Sequence, residues 1–226
     1  MKILFLDIDG VINTVGAELG FQYMKITPPT LEEQSVFRLS KYFDPACMYY
    51  LHTIVEETEC KIVISSSWRS GASLETMKKW FKDSLISNAI IDKTEILHLN
   101  KNPDKVDRQG RIQRGEEILE WLERHPEVTK FAVLDDDDDM DAIRHNFFQT
   151  DRMDGLKRKV AYKVISFLNS KDHIDHYRMN IKLNNFLAEI DDALSSIKKD
   201  SRNIAKNKII NIVKELIIEY KTRNSS

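Results

Sequence analysis

The sequence predicts an α/β fold in which a parallel sheet carries helices on both faces. Short apolar runs of strand type alternate with amphipathic helical patterns over much of the 226 residues, which is the order of consecutive βαβ units. Three of the apolar runs end in polar residues, at Asp7, Ser65–Ser67 and Asp135. Ligands of parallel sheets bind at the carboxyl ends of the strands. We therefore expect these three segments to meet at one edge of the sheet.

The composition is that of a globular protein, with 42% hydrophobic and 31% charged residues. The formal net charge of −2 gives no reason to expect a nucleic-acid-binding protein from bulk electrostatics. Cys47 and Cys60 do not have the spacing of a disulfide framework, so we expect a reducing, cytoplasmic environment. No apolar run approaches the roughly 18–20 residues that span a bilayer. Export through a C-terminal signal, as for a bacterial effector, is left open.

The first strand is predicted at the apolar run that ends in Asp7-Ile8-Asp9-Gly10. Residues two apart share one face of an ideal strand, so the two carboxylates are expected to lie together. Gly10 allows the backbone to turn away without a Cβ clash. Carboxylates this close repel each other unless a cation lies between them, and an oxygen-only ligand set suits Mg²⁺. An acidic turn without a metal is the alternative interpretation.

The next elements follow from periodicity and capping signals. Asp44 before Pro45 is typical of a helix start. The pattern then predicts, in order, a helix to about Glu59, a strand over Cys60–Ile64, a helix over 73–84 and a short strand over Ala89–Ile91. Residues 12–42 are assigned less completely, with a short helix from Leu31 to Leu39 as one interpretation.

The second half of the body continues the alternation. The predicted elements are a polar loop over Lys101–Arg111, a helix over Gly115–His125, a strand over Lys130–Leu134, a strand over Phe147–Gln149 and a helix over Lys157–Leu168. The strand at Lys130–Leu134 runs into five consecutive aspartates, Asp135–Asp139.

The last 56 residues differ in charge from the rest of the chain. Residues 171–226 carry 11 Lys/Arg and 8 Asp/Glu, against 23 and 28 in the remainder. We therefore expect a body over 1–170 and a separate tail over 171–226. Two apolar stripes at helical spacing, within 183–197 and 209–220, predict a helical hairpin packed on the body. Dimerisation, partner binding and export are alternative roles, and the chain is expected to be a monomer or a dimer through these helices.

Four motifs in order resemble the haloacid dehalogenase (HAD) superfamily of phosphohydrolases. They are Asp7-x-Asp9-Gly10-Val11, the Ser65-Ser66-Ser67-Trp68-Arg69 segment, the helix start at Arg114-Gly115, and the acidic strand end at Asp135. The likeness covers about residues 1–168 and is to the small HAD domains of RNA-repair ("Swiss Army Knife") proteins. It implies a HAD-like Rossmannoid sheet without a large cap. It also implies Mg²⁺-dependent hydrolysis of a phosphomonoester through an aspartyl-phosphate.

The resemblance also implies catalytic and metal-binding roles. Asp7 would be the nucleophile, and Asp9 the acid for the leaving group and then the base for water. The Mg²⁺ ligands would be Asp7, the backbone carbonyl of Asp9, Asp135 and Asp136. Asp139 is left as a further candidate near the site.

The substrate phosphate would be bound by a serine and a cation. Ser66 is the first choice, with Ser65 and Ser67 as alternatives and Gly10 beside them. Arg114 stands where the superfamily usually has lysine, and Arg111 is a competitor for that role. The purely structural alternatives are a core tryptophan at Trp68, a solvated arginine at Arg69 and a solvated helix-start arginine at Arg114.

The substrate is expected to be macromolecular, because the gaps between motifs are too short for a large cap and the site should be open. A phosphoprotein, for example one carrying phosphotyrosine, is favoured over a polynucleotide 3′-phosphate because basic grooves with interleaved aromatic residues are not evident. A nucleotidase and a non-catalytic HAD-like binding module are the remaining alternatives. His173 and His176 have no accompanying ligand cluster and are interpreted as surface residues.

Overall fold

A five-stranded parallel sheet lies at the centre of the computed structural model, which describes residues 1–24, 43–81, 83–97 and 112–170. The strands are Lys2–Leu6 (β1), Lys61–Ile64 (β2), Ile90–Lys93 (β3), Lys130–Asp135 (β4) and Phe147–Gln149 (β5). Their spatial order is β3-β2-β1-β4-β5, and every neighbouring pair is parallel. The predicted α/β class with a parallel sheet is confirmed.

The described elements all belong to the first of two units into which the chain divides, Met1–Lys171 and Asp172–Ser226. Three predictions lie outside the described residues: the helix over Leu31–Leu39, the loop over Lys101–Arg111 and the helices of the tail. The prediction that no large cap is present also concerns segments that are only partly described.

Strand register brings the ends of the three central strands to one level. Leu6 is paired with Ile64 of β2 on one side and with Leu134 of β4 on the other. Because β1 lies between β2 and β4, the residues that follow these strands project from the same edge of the sheet.

Six helices accompany the sheet in the described part of the chain. They are Val15–Tyr23 (α1), Pro45–Thr58 (α2), Leu74–Trp80 (α3), Ser84–Ala89 (α4), Arg114–Arg124 (α5) and Arg158–Asn169 (α6), with 3₁₀ segments at Ser67–Arg69 and Asp141–Asn146. None of the helices described here is both long and apolar enough to cross a membrane.

The two faces of the sheet are covered by different helices, as alternation along β1 requires. Leu4 and Leu6 join the main core with buried side chains of α2 and α6, among them Leu51 and Val164. Phe5 points to the opposite face, where its ring meets Trp121 of α5 edge-on at a centroid distance of 5.4 Å. Helices on both faces are therefore confirmed.

The structure differs from the local predictions in three helices. The helix predicted over 73–84 ends at Trp80 as α3. Helix α4 was not predicted; it begins at Ser84 because the Asp83 carboxylate accepts hydrogen bonds from the backbone N–H groups of Leu85 and Ile86. Helix α1 was not predicted. It has no buried residue and therefore no apolar stripe, and its start depends on the Thr14 hydroxyl, which accepts from the Ala17 N–H at 3.0 Å.

Candidate active site

The sheet hydrogen bonding continues one residue beyond the strands and positions the candidate site. The Asp7 N–H donates to the Leu134 carbonyl at 2.9 Å, and the Ser65 N–H donates to the Leu6 carbonyl at 3.0 Å. Asp7, Ser65 and Asp135 thus stand side by side at the carboxyl edge. The convergence of the three strand ends follows from the parallel arrangement.

Three carboxylates form a close cluster at this edge. Oxygens of Asp7, Asp135 and Asp136 lie within 4.8 Å of one another. Asp7 and Asp135 are buried, at 6% and 2% exposure. One oxygen of Asp135, Oδ1, accepts the Asp137 N–H at 3.0 Å, whereas Oδ2 is buried without a hydrogen-bond partner among the described residues. An oxygen-only set with an unpartnered buried oxygen fits a hard divalent cation such as Mg²⁺.

Burial disfavours negative charge on the cluster. It raises the pKa of Asp7 to about 6, although the Arg114 charge and a hydrogen bond from the Ser66 hydroxyl act in the opposite direction. It raises the pKa of Asp135 to about 8, and the neighbouring Asp7 carboxylate adds to the effect. Burial also raises the pKa of Asp136, with the adjacent Asp137 charge contributing. A bound cation would offset this repulsion.

These pKa shifts predict how stability depends on pH without metal. Both raised values exceed 3.8, the ordinary value, so the folded chain holds protons that the unfolded chain releases. Protonation of these two carboxyl groups therefore favours the folded state. Its contribution to the free energy of unfolding is complete below pH 3.8 and is lost as pH rises through about 6 for Asp7 and about 8 for Asp135. Because Mg²⁺ binds the ionised carboxylates, we expect its stabilising effect to grow over the same range.

Thermal unfolding in Mg²⁺ and in EDTA, between about pH 5 and pH 9, checks this expectation. The gap between the two melting temperatures should widen with pH, and Asp135→Asn should flatten the EDTA profile. An equal gap at both ends of the range would contradict the prediction.

Asp9 is not one of the three carboxylates of the close cluster, although its charge raises the pKa of Asp7, and it is held by two side-chain donors. Its Oδ1 accepts from Asn13 Nδ2 at 2.7 Å, and its Oδ2 accepts from Trp68 Nε1 at 2.7 Å. The two aspartates of the first motif thus have different partners: Asp7 belongs to the close acidic cluster, and both oxygens of Asp9 accept bonds from neutral donors.

Gly10 makes the turn that brings Asp136 to the site. Its φ of +69° is in the left-handed region that favours glycine. A Cβ built on Gly10 would lie 2.3 Å from Asp136 Cγ. The Gly10 carbonyl accepts the Thr150 hydroxyl at 2.8 Å, which fixes the turn against the loop after β5. A side chain at position 10 would displace Asp136 from the cluster.

The three serines have different environments. Ser66 is buried, its hydroxyl interacts with Asp7, and its Oγ accepts the Trp68 N–H at 3.3 Å. Ser65 is buried, and its Oγ has no hydrogen-bond partner among the described residues. Ser67 is exposed and begins the 3₁₀ segment. Ser66 is therefore the serine whose hydroxyl is placed beside the predicted nucleophile.

Arg114 is half-buried at the first position of α5, in contrast to a solvated helix-start arginine. Its backbone N–H donates to Asp139 Oδ2 at 3.1 Å, so Asp139 caps the helix from a distant loop. Its Nη1 is buried without a hydrogen-bond partner in the described part of the chain. Its charge lowers the pKa of both Asp7 and Asp135. An unpartnered guanidinium nitrogen beside the carboxylates is suited to a phosphoryl oxygen.

Arg69 is buried at 4% exposure, whereas the structural interpretation of the second motif expected a solvated arginine. Its guanidinium donates to the carbonyls of Ser65, Ser66 and Thr94 at 2.8, 2.7 and 3.1 Å. It also forms a buried ion pair with Glu117. Glu117 lies one turn after Arg114, so this pair ties the serine loop to the helix that carries the candidate phosphate-binding arginine.

Sequence reasoning missed Glu117 and did not assign Asn13 or the Arg69 ion pair. No local pattern marks the pair, because Arg69 and Glu117 are 48 positions apart. The one available signal was the i, i+3 spacing of Arg114 and Glu117, which places them on one side of a helix.

The rest of the aspartate run does not join the close cluster: Asp137 and Asp138 are exposed, and Asp138 pairs with Arg144.

The fold and the carboxylate edge define an α/β domain of the HAD type. Over residues 3–161 the chain matches the family described as the HAD domain in Swiss Army Knife RNA repair proteins. The chain belongs to this family. No curated protein and no solved structure matches the chain significantly. The family supports a phosphatase or another hydrolase of the HAD type.

Proposed function

We propose that this protein is a Mg²⁺-dependent phosphomonoester hydrolase with Asp7 as nucleophile. The observation that carries the proposal is the arrangement around Asp7. Its buried carboxylate lies beside Asp135 and Asp136, beside the Ser66 hydroxyl, and within the field of Arg114, whose buried Nη1 has no partner among the described residues. This is an anionic nucleophile with its own cation site and a separate set of donors for a phosphoryl group.

The side chains of Asp7, Asp135 and Asp136, with the backbone carbonyl of Asp9, would hold the ion. Mg²⁺ bound there would neutralise charge on the carboxylates and on the substrate phosphate. Uncatalysed monoester hydrolysis is among the slowest reactions known, so charge neutralisation must supply much of the rate enhancement.

Two displacements complete the reaction. A carboxylate oxygen of Asp7 attacks phosphorus as the bond from phosphorus to the ester oxygen breaks, and Asp9 gives its proton to the departing oxygen. Asp9 then takes a proton from water as that water attacks the aspartyl-phosphate, which releases inorganic phosphate and restores Asp7. One carboxylate acts as nucleophile and the other as acid and base. Burial raises the pKa of Asp7 to about 6, and a cation bound beside it would favour the ionised form that the attack needs.

The phosphoryl oxygens would be bound by Ser66 and Arg114. The Ser66 hydroxyl is placed beside Asp7, and Arg114 can offer two parallel N–H groups. Ser65 remains the alternative hydroxyl because its Oγ is buried without a partner among the described residues. Gly10 would contribute backbone close to the phosphate, where a Cβ would already crowd Asp136.

We propose a phosphate on a polynucleotide end as the substrate. The membership of the chain in a family of HAD domains from RNA repair proteins favours this class. The expectation of a phosphoprotein rested on bulk charge and on the lack of an evident basic groove in the sequence. Phosphotyrosine peptides are therefore the comparison substrates.

The activity is tested with p-nitrophenyl phosphate, then with matched macromolecular substrates. We expect Mg²⁺-dependent release of p-nitrophenol that EDTA abolishes. Among substrates, kcat/KM for a 3′-phosphorylated oligoribonucleotide should exceed that for a phosphotyrosine peptide at least about tenfold. The reverse preference would restore the phosphoprotein assignment. Absence of turnover on all substrates in Mg²⁺ would instead favour a non-catalytic binding module.

A further inference from the structure

Both oxygens of the Asp9 carboxylate accept short hydrogen bonds from side chains outside the first motif. Asn13 Nδ2 donates to Oδ1 and Trp68 Nε1 donates to Oδ2, each at 2.7 Å. An indole N–H is a donor only, so the direction of the second bond is fixed. A carboxylate held at both oxygens cannot rotate freely about its terminal torsion.

Trp68 is itself held by packing on two sides. Its ring stacks on Phe43 at a centroid distance of 6.3 Å and an interplanar angle of 28°. It meets the ring of Trp80 edge-on, at 5.7 Å and 82°. Its backbone N–H donates to Ser66 Oγ at 3.3 Å. One residue therefore links the hydroxyl beside Asp7 to the carboxylate of Asp9.

We propose that Trp68 is a positioning residue that aims the Asp9 carboxyl group at the leaving oxygen of the substrate. This inference rests on the proposed function, because Asp9 there gives its proton to the ester oxygen as the bond to phosphorus breaks. General-acid catalysis needs the donor within hydrogen-bond reach, and a displacement of about 1 Å can cost on the order of 100-fold in rate. The Trp68 N–H supplies that placement.

The proposal makes a prediction about leaving groups. p-Nitrophenolate is a weakly basic leaving group and departs with little help from a general acid. The alkoxide that leaves from benzyl phosphate is strongly basic, so its departure depends on protonation. Trp68→Phe keeps an aromatic ring but removes the donor to Asp9. We expect it to lower kcat/KM for benzyl phosphate by about 10–100-fold and that for p-nitrophenyl phosphate by less than about fivefold. The parameter kcat/KM is chosen because it covers the steps up to departure of the leaving group.

Trp121→Phe is the matched control. Trp121 is buried at 1% exposure, and its Nε1 donates to Asp92 Oδ2 at 2.7 Å. The control removes the same atoms and a similar bond to a carboxylate, and it leaves the bond from Trp68 to Asp9 intact. It should lower thermal stability without changing the ratio of the two kcat/KM values. A change of that ratio in Trp121→Phe equal to that in Trp68→Phe, or equal losses on both substrates in Trp68→Phe, would overturn the proposal.

A second measurement separates this inference from the proposed function. The three tryptophans give three indole N–H signals in a ¹H–¹⁵N spectrum, and Trp68→Phe identifies one of them. We expect Asp9→Ala to shift that signal and to speed its exchange with solvent, and an unmoved signal would overturn the inference whatever the activity. If the wild type hydrolyses neither benzyl phosphate nor p-nitrophenyl phosphate, the proposed function and the role of Trp68 in leaving-group departure are both overturned. The indole N–H signal would still show whether Trp68 is hydrogen-bonded to Asp9.

Discussion

Asp7→Asn is expected to lower Mg²⁺-dependent turnover of p-nitrophenyl phosphate by at least about 10³-fold. The amide of asparagine is not a nucleophile toward phosphorus, and the loss of one anionic ligand weakens the cation site. Asp7 is buried with Asp135 and Asp136 close by, so the neutral side chain also removes repulsion. We therefore expect the metal-free variant to melt at or above the temperature of the wild type.

The two measurements together distinguish a lost nucleophile from a lost fold. Asp138→Asn is the matched control, since Asp138 belongs to the same aspartate run as the metal candidates but is exposed and paired with Arg144. It should retain wild-type turnover. Acid quenching with radiolabelled substrate should label the wild-type chain and leave Asp7→Asn unlabelled. Retention of more than about a tenth of wild-type activity in Asp7→Asn would show that another group attacks phosphorus.

Glu117→Gln is expected to lower the free energy of unfolding by about 3–5 kcal/mol, the range seen when one partner of a buried ion pair is removed. Arg69 and Glu117 are 4% and 6% exposed. Burial raises the pKa of Glu117 and lowers that of Arg69 despite their mutual attraction, because both charges have left water. Neutralising Glu117 leaves the Arg69 charge without its partner. It also weakens the acceptor for the Leu97 N–H, now at 3.1 Å.

Urea unfolding of Glu117→Gln and Glu95→Gln gives the comparison. Glu95 makes the same kind of contact with Arg124, at 3.0 Å, but the two side chains are 65% and 45% exposed. An exposed pair is worth about 0–1 kcal/mol, so Glu95→Gln should be nearly neutral. The double variant Arg69→Met with Glu117→Met leaves no unpaired charge, but it also removes the donors to the carbonyls of Ser65, Ser66 and Thr94, so it should recover little of the stability lost in Glu117→Gln. Equal stability of the two Gln variants would show that the buried pair is dispensable.

The alternation of short strands with helices predicted the parallel sheet before any contact was known. The reason is local: strand patterns, helix caps and the polar residue after each strand are encoded within a few positions. Asp44 caps α2 through the N–H of Ala46 at 2.8 Å, as the Asp-Pro start indicates. Helix α1 was not predicted because none of its residues is buried, and α4 was not predicted because its 6 residues are too few to show a helical period.

Most of the candidate site was also accessible from the sequence. Asp7, Ser66 and Asp135 stand at the carboxyl ends of three strands, and neighbouring parallel strands have their carboxyl ends at one edge of the sheet. Their convergence therefore follows from topology. The choice among Ser65, Ser66 and Ser67 did not, because three consecutive serines differ only in how the backbone turns after β2.

By itself, then, the sequence determined the fold class and the strand ends at which the chemistry is proposed, because periodicity and strand order are properties of short segments. Tertiary structure alone decided which side chains orient those groups. The Trp68 bond to Asp9 joins positions 59 apart, and Arg69 and Glu117 join positions 48 apart. Asp136 reaches the cluster because Gly10 leaves room for it. Such contacts depend on how distant segments pack and on which charges are buried together, and no local pattern encodes either.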